Sequence, residues 1–197
     1  LTRIDTFDEG MLLHVEDSLA GMDEVEQAPP GLYGDMGTGG GYPGIPLAIM
    51  TKRETVLIDS VRKKTDILRD IIKELGLSAQ VEVYNGRLEE LSCELPGAFS
   101  VLTARALSQM ASLMELAAPL LALDGRLICY KANVSEEELQ LATSLEEKLG
   151  MKMVARRELT LSDGETERCI IVFEKYQDPA IKLPRKTGIA QKRPLKP

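Results

Sequence analysis

The run Asp35-Met36-Gly37-Thr38-Gly39-Gly40-Gly41-Tyr42-Pro43-Gly44 decides the reading of this 197-residue chain. It spells acid-x-Gly-x-Gly-x-Gly, directly after the apolar Gly31-Leu32-Tyr33 and before the helix-compatible stretch from Ile45 to Met50. Glycines at alternate positions let the backbone turn at positive φ and leave no Cβ between main-chain N–H groups and a ligand. Strand, glycine turn and helix together predict a loop that holds an adenosine cofactor.

Outward from that loop, apolar runs alternate with amphipathic ones, the pattern of βαβ units around a parallel sheet. Strands are predicted near 31–36, 55–59, 81–85, 99–103 and 125–131, and helices near 45–52, 62–76, 107–123 and 135–149. In the helix at 62–76, Ile67, Leu68, Ile71, Ile72 and Leu75 recur at helical spacing before Gly76 ends it. Ser135 before Glu136-Glu137-Glu138 predicts a capped helix start whose acids form a solvated face. Two last strands, near 151–160 and 167–175, follow one another around Ser162-Asp163-Gly164-Glu165, so the final pair is antiparallel. Residues 1–28 are polar and acidic, with a short helix expected from Phe7 to Ala20 and Asp5-Thr6 as cap candidates. Gln27-Ala28-Pro29-Pro30 breaks the chain before the sheet begins.

In an open parallel sheet, ligands bind beyond the carboxyl ends of strands, where the topology reverses. The stretch from Asp35 to Gly41 occupies that place. Asp59, 22 positions after Gly37 at the end of the second strand, is placed to accept hydrogen bonds from ribose hydroxyls. Two cofactor classes compete. A nicotinamide dinucleotide needs Gly-x-Gly-x-x-Gly, which only Gly39, Gly41 and Gly44 restore. S-adenosylmethionine carries an ammonium and a sulfonium, for which Asp35 supplies an acid, and this favours it. The loop after the third strand, Val83 to Glu90, is expected to set an apolar residue and an acceptor beside an adenine. Arg105 and Lys131 close the fourth and fifth strands, where a charge must be paired or face a cleft. Both are candidate site residues, with a structural ion pair as the other reading.

Length and composition suit one domain, 1–177. Hydrophobic residues make up 44% and charged residues 28%, the balance of a globular chain. There is no run of about 18 apolar residues and no export signal, so no membrane is expected and the cytoplasm is the expected location. Cys93, Cys129 and Cys169 lack ligand spacing and are expected as free thiols, the last two in the core; with a single histidine, no metal site is expected. His14 reads as a surface or packing residue. Leu1 in place of methionine makes a trimmed chain the expectation. The Pro-rich tail, 178–197, has six basic residues against one acid while the chain as a whole is formally −7. On composition alone, a disordered solubilising tail and an RNA-binding one both remain open. Arg62, Lys63 and Lys64 form a second basic cluster at a helix start.

These residues, taken in order, resemble the RsmG (GidB) family of bacterial methyltransferases acting on guanine N7 in 16S ribosomal RNA. The resemblance runs through Leu1-Thr2, His14 to Ser18, Asp35 to Pro46, Leu57 to Lys64, Gly86 to Glu90, Thr103 to Ala106 and Pro184-Arg185-Lys186-x-Gly188. It implies an α/β, Rossmann-like class I methyltransferase: a mostly parallel seven-stranded sheet with an antiparallel final strand and helices on both faces. It also implies S-adenosylmethionine as cofactor and 16S rRNA or the small ribosomal subunit as partner. Family cofactor contacts fall on Gly37, Tyr42, Leu88, Glu89 and Arg105, to which the residues themselves add Asp35, Gly39, Gly41 and Asp59. Arg62, Lys63, Lys64, Arg185, Lys186, Lys192 and Arg193 are the RNA-contact candidates. The chain departs from the family in lacking a further helical segment before Leu1-Thr2, in Ala190 where proline is common, and in Ala132 where glycine is frequent. Other classes stay open on fold alone: a small-molecule methyltransferase, an NAD-dependent oxidoreductase, or a non-catalytic nucleotide-binding module.

Overall fold

The Thr6 hydroxyl accepts a hydrogen bond from Glu9 N at 3.2 Å and opens the N-terminal helix α1 (Phe7–Gly10). The structure, a computed structural model, describes residues 6–197, so Leu1-Thr2 and the cap candidate Asp5 lie outside the described residues. The helix continues through a π-helical stretch, Met11–Glu16, into α2 (Asp17–Leu19), and α3 (Met22–Glu26) follows. Then come β1 (Leu32–Met36), α4 (Gly44–Thr51), β2 (Thr55–Asp59), α5 (Arg62–Glu74), β3 (Val81–Asn85), α6 (Leu88–Glu94) and β4 (Phe99–Arg105). The chain ends with α7 (Met110–Ala117), β5 (Leu121–Lys131), α8 (Glu136–Ser144), α9 (Glu146–Leu149), β6 (Met151–Thr160), β7 (Glu167–Lys175) and α10 (Ile189–Lys192).

The strands form one seven-stranded sheet in the order β3-β2-β1-β4-β5-β7-β6. β1 to β5 pair in parallel, and β7 runs antiparallel to both β5 and β6, as the hairpin turn predicts. Alternation along the strands sends neighbours to opposite faces. Ile128 and Tyr130 of β5 join Val25, Tyr33 and Leu47 under the N-terminal helices and α4. Leu127 and Cys129 join Met110, Leu113, Leu145 and Phe173 on the other face. Each such buried Leu or Phe stabilises the fold by about 1.5–3 kcal/mol relative to exposure.

Several elements differ from the sequence reading. The helix expected over 107–123 stops at Ala117, because Pro119 disfavours helix for the residue before it and lacks an N–H; β5 starts directly after, at Leu121. The helix expected over 135–149 breaks at Leu145 into α8 and α9. Helix α6, not anticipated, is stabilised by Glu90 Oε2, which accepts from Arg87 N at 3.0 Å, the half of a capping box that the N3 carboxylate supplies. Cys129 and Cys169 are buried free thiols and Cys93 is an exposed one. Burial pushes the Cys129 thiol up to about 12, which makes it inert.

The N-terminal helices are held to the sheet by polar ties. Arg157 of β6 forks Glu24 at 2.7 and 2.8 Å, and the Tyr130 hydroxyl donates to Ser18 O at 2.8 Å. This fixes His14 and Asp17 over the carboxyl ends of β4 and β5.

Candidate active site

β1 lies between β2 and β4, where the strand order reverses, and the glycine loop leaves its carboxyl end there. Asp35 does not face a ligand. It is fully buried and lines none of the cavities around the loop. Its Oδ2 accepts from Gly44 N at 2.9 Å and its Oδ1 from the Thr103 hydroxyl at 2.8 Å. Because the Thr103 proton points to Asp35, the Tyr33 hydroxyl donates to Thr103 Oγ1, at 2.8 Å. Burial pushes the Asp35 carboxyl up, and the hydrogen bonds from Thr103 and Gly44 act against that shift. Asp35 therefore braces the loop against α4 and β4, which corrects its expected place beside an ammonium.

Asp59, itself buried, takes the cavity side of the same loop. Its Oδ2 accepts from Gly39 N at 3.0 Å and its Oδ1 from Val61 N at 2.8 Å, while Lys64 Nζ stands 3.8 Å away. Gly39 has φ +60° and Gly37 φ +68°, and a Cβ at Gly37 would lie 2.5 Å from Leu107 Cδ1, so a side chain there would displace Leu107. The bare loop thus borders a cavity of about 270 Å³ lined by Gly37, Asp59, Lys64, Leu88, Glu89 and Ala106, among others. Carboxylate, apolar floor and open backbone are the donor set an adenosine needs. Gly41 is in the same loop with φ +93° and lines none of these cavities; its place is against Ile45 and Leu68.

A second cavity, about 420 Å³, shares Gly37, Lys64 and Ala106 with the first and is lined by Gly39, Tyr42, Arg105 and His14. Tyr42 and His14 stack, with ring centroids 4.4 Å apart and planes 10° from parallel, and the Arg105 guanidinium carbon sits 5.7 Å from the Tyr42 centroid. His14 is a packing residue that also walls the cavity, and its buried Nδ1 has no partner. Burial first, then the Arg105 charge, hold its pKa below the usual histidine value. A third cavity, about 410 Å³, adds Asp17, Lys131 and Arg168 beside Arg105.

Asp17 is the residue the sequence reading missed. Its carboxylate accepts from Arg105 at 2.9 Å and from Arg168 Nε at 2.8 Å, and it is 4% exposed. It stands in the quoted His-x-x-Asp-Ser run, but nothing in one sequence links it to β7. Arg105 also donates to Leu13 O, so it is both ion-paired and cavity-facing. Lys131 is ion-paired as well, donating to Glu138 Oε1 at 2.6 Å and to Ser108 O at 3.0 Å. Glu138 is consequently no member of a purely solvated face: it also accepts from Met110 N at 2.8 Å.

Of the basic candidates, Arg62 and Lys63 are exposed at the start of α5 and Lys64 lines the first cavity. Lys186, Lys192 and Arg193 are exposed, whereas Arg185 forks the buried Glu115 at 2.7 and 2.6 Å and its charge is compensated. The tail is docked: Ala190 is buried and Leu183 and Leu195 pack against the core. Among the described residues, no helix is long and apolar enough to cross a membrane and no cluster of His, Cys, Asp and Glu is arranged to hold a metal.

The sequence pattern of GidB, rRNA small subunit methyltransferase G, matches residues 1–166. Ribosomal RNA small subunit methyltransferase G of Streptococcus equi subsp. zooepidemicus (strain H70) is 36% identical over 200 residues, covering 99% of this chain and 83% of that protein. The protein of the same name from Alkaliphilus metalliredigens (strain QYMF) is 34% identical over 199 residues, covering 100% and 83%. Among solved structures, YcgJ from Bacillus subtilis superposes with a TM-score of 0.64 at 14% identity, over 83% of this chain and 100% of that one. A geranyl diphosphate methyltransferase in complex with GPP and sinefungin does so with 0.62 at 11% identity, over 80% and 76%. The fold is that of the class I methyltransferases.

Proposed function

This chain belongs to the rRNA small subunit methyltransferase G family, and we propose that the base it methylates is a guanine of 16S rRNA, guanine 527, at N7. It is an rRNA methyltransferase that uses S-adenosylmethionine. The observation that supports the finer reading is that neighbouring cavities share lining residues. The one beside Asp59 shares Gly37 and Ala106 with the second, and the second shares Ala106 and Arg105 with the third, which Lys131 and Arg168 also line.

When bound, the cofactor supplies an electrophilic methyl group. Guanine N7 has an in-plane lone pair and no proton, so no general base is needed, and the stacked His14 needs no catalytic part. What the chain must do is position. Asp59 would hold the ribose hydroxyls and Leu88 would border the adenine; Gly37, Gly39 and Gly41 shape the loop between them. Tyr42 and Glu89 complete the cofactor side. Arg105, Lys131 and Arg168 suit guanine O6 and the flanking phosphates, leaving N7 free. Orientation and exclusion of water together contribute up to about 7–11 kcal/mol for well-aligned reactants.

The formal charge of −7 runs against nucleic-acid binding, but local charge offsets it. Lys64 of α5 and Gln191 of the tail line the same cavity, and the exposed Arg62 and Lys63, and Lys192 and Arg193, are their neighbours in the chain. In this reading the partner is 16S rRNA or the small subunit, in the cytoplasm. Chemical cleavage at 7-methylguanosine in rRNA from a strain lacking the gene tests it: the guanine-527 cleavage disappears. Cleavage that survives the deletion refutes it. Tritiated-methyl transfer to naked rRNA and to small subunits then identifies the form recognised.

A further inference from the structure

Three ties hold the C-terminal segment against the cofactor side of the molecule. Arg185 grips both oxygens of Glu115, which is only 3% exposed. The buried Ser112 hydroxyl donates to Ala190 O at 2.8 Å. Gly188 N donates to Glu89 Oε1 at 2.6 Å, joining the tail directly to the loop expected beside the adenine. The first two ties seat the tail on α7, and the third sets its height. Together they bring Gln191, a solvent-exposed residue, to the wall of the cavity that also contains Asp59, Leu88 and Glu89.

We propose that the tail is the outer wall of the cofactor pocket, with Gln191 as a cofactor-contact residue that hydrogen-bonds the adenine edge. The inference rests on the cofactor reading above. A glutamine amide carries a donor and an acceptor side by side, the complement of an adenine edge with its amino group next to a ring nitrogen. Asp59 and Glu89 are acceptors only and Leu88 is apolar, so none of these side chains offers a donor to a ring nitrogen of that edge. The tail is thereby also the piece that ordering by the cofactor tightens, since closing on adenine adds a bond that the empty pocket lacks.

Calorimetry of the full chain with S-adenosylhomocysteine, together with deuterium uptake of residues 185–193, tests this. Gln191→Ala raises Kd about three- to tenfold, the loss of one or two hydrogen bonds, and leaves the melting temperature unchanged because the side chain is exposed. In the unaltered chain, S-adenosylhomocysteine slows uptake in 185–193, and in Gln191→Ala this slowing is reduced. If the unaltered chain binds but Gln191→Ala has the same Kd, or uptake in the tail does not respond to the ligand, the inference is overturned and the cofactor reading stands. Absence of binding by the unaltered chain overturns both.

Discussion

Asp59 and Asp17 do the same local chemistry in two regions of the molecule, one carboxylate collecting two donors, yet they do it over very different reaches of chain. Asp59 takes Gly39 and Val61, 20 and 2 positions away, and lines the first cavity. Asp17 takes Arg105 and Arg168, 88 and 151 positions away, and lines the third. The cofactor side is centred on one βαβ unit and its turn chemistry, with Leu88, Glu89, Ala106 and Gln191 added from later in the chain. The substrate side exists only once the N-terminal helices, β4 and β7 have docked, so its integrity and the stability of the whole fold are the same quantity.

If that contrast holds, Asp17→Ala has the largest effect. It leaves two guanidinium groups without their carboxylate and destabilises the chain by about 3–5 kcal/mol in denaturant unfolding. Asp59→Ala is milder in stability, about 1.5–3 kcal/mol, because the freed N–H groups meet cavity water, but its Kd for S-adenosylhomocysteine rises more than tenfold. Equal stability losses for the two variants would erase the distinction. Thr103→Val sharpens the cofactor side: it removes the partner of both Asp35 and Tyr33, with an expected loss of about 1–3 kcal/mol in the same measurement. Tyr42→Ala, which removes the His14 stack and the Arg105 contact, costs about 0.5–1.5 kcal/mol beyond lost area in denaturant unfolding and raises the Kd for S-adenosylhomocysteine in calorimetry.

The smallest effect is on pH. Burial and Arg105 lower the pKa of His14, so the unfolded chain takes up this proton at a higher pH than the folded one. Stability is therefore full above the usual histidine value and falls as pH drops through it toward the lowered folded value. His14→Phe keeps a stacking ring and should flatten this fall in melting temperature between roughly pH 7 and pH 5. His14 is the chain's single histidine, which makes the assignment of that change direct.

Much of the cofactor side was legible in the residues. Alternate glycines announce a turn, the apolar run of β2 ends on Asp59, and the spacing of Ile67, Leu68, Ile71 and Ile72 marks α5; all are interactions within about 30 residues of the loop. Even the end of α7 was legible, at Pro119, although the apolar composition of 107–123 concealed it. The reading of Asp35 failed for a different reason. Its position before the glycines is the same whether the carboxylate points to a ligand or into the core, and the choice was made by Thr103 of β4, 68 positions on.

By itself, then, the sequence determined the parallel sheet with its antiparallel last strand, the glycine loop at the switch point and the carboxylate beside it. Those follow from periodicity and turn chemistry acting over a few residues. Only the tertiary structure decided which charges are compensated, as Arg185, Lys131 and Arg105 are, and that Gln191 stands at the cofactor cavity. Side-chain partners depend on strand register and helix docking between segments distant in the chain, and no pattern within either segment carries that information.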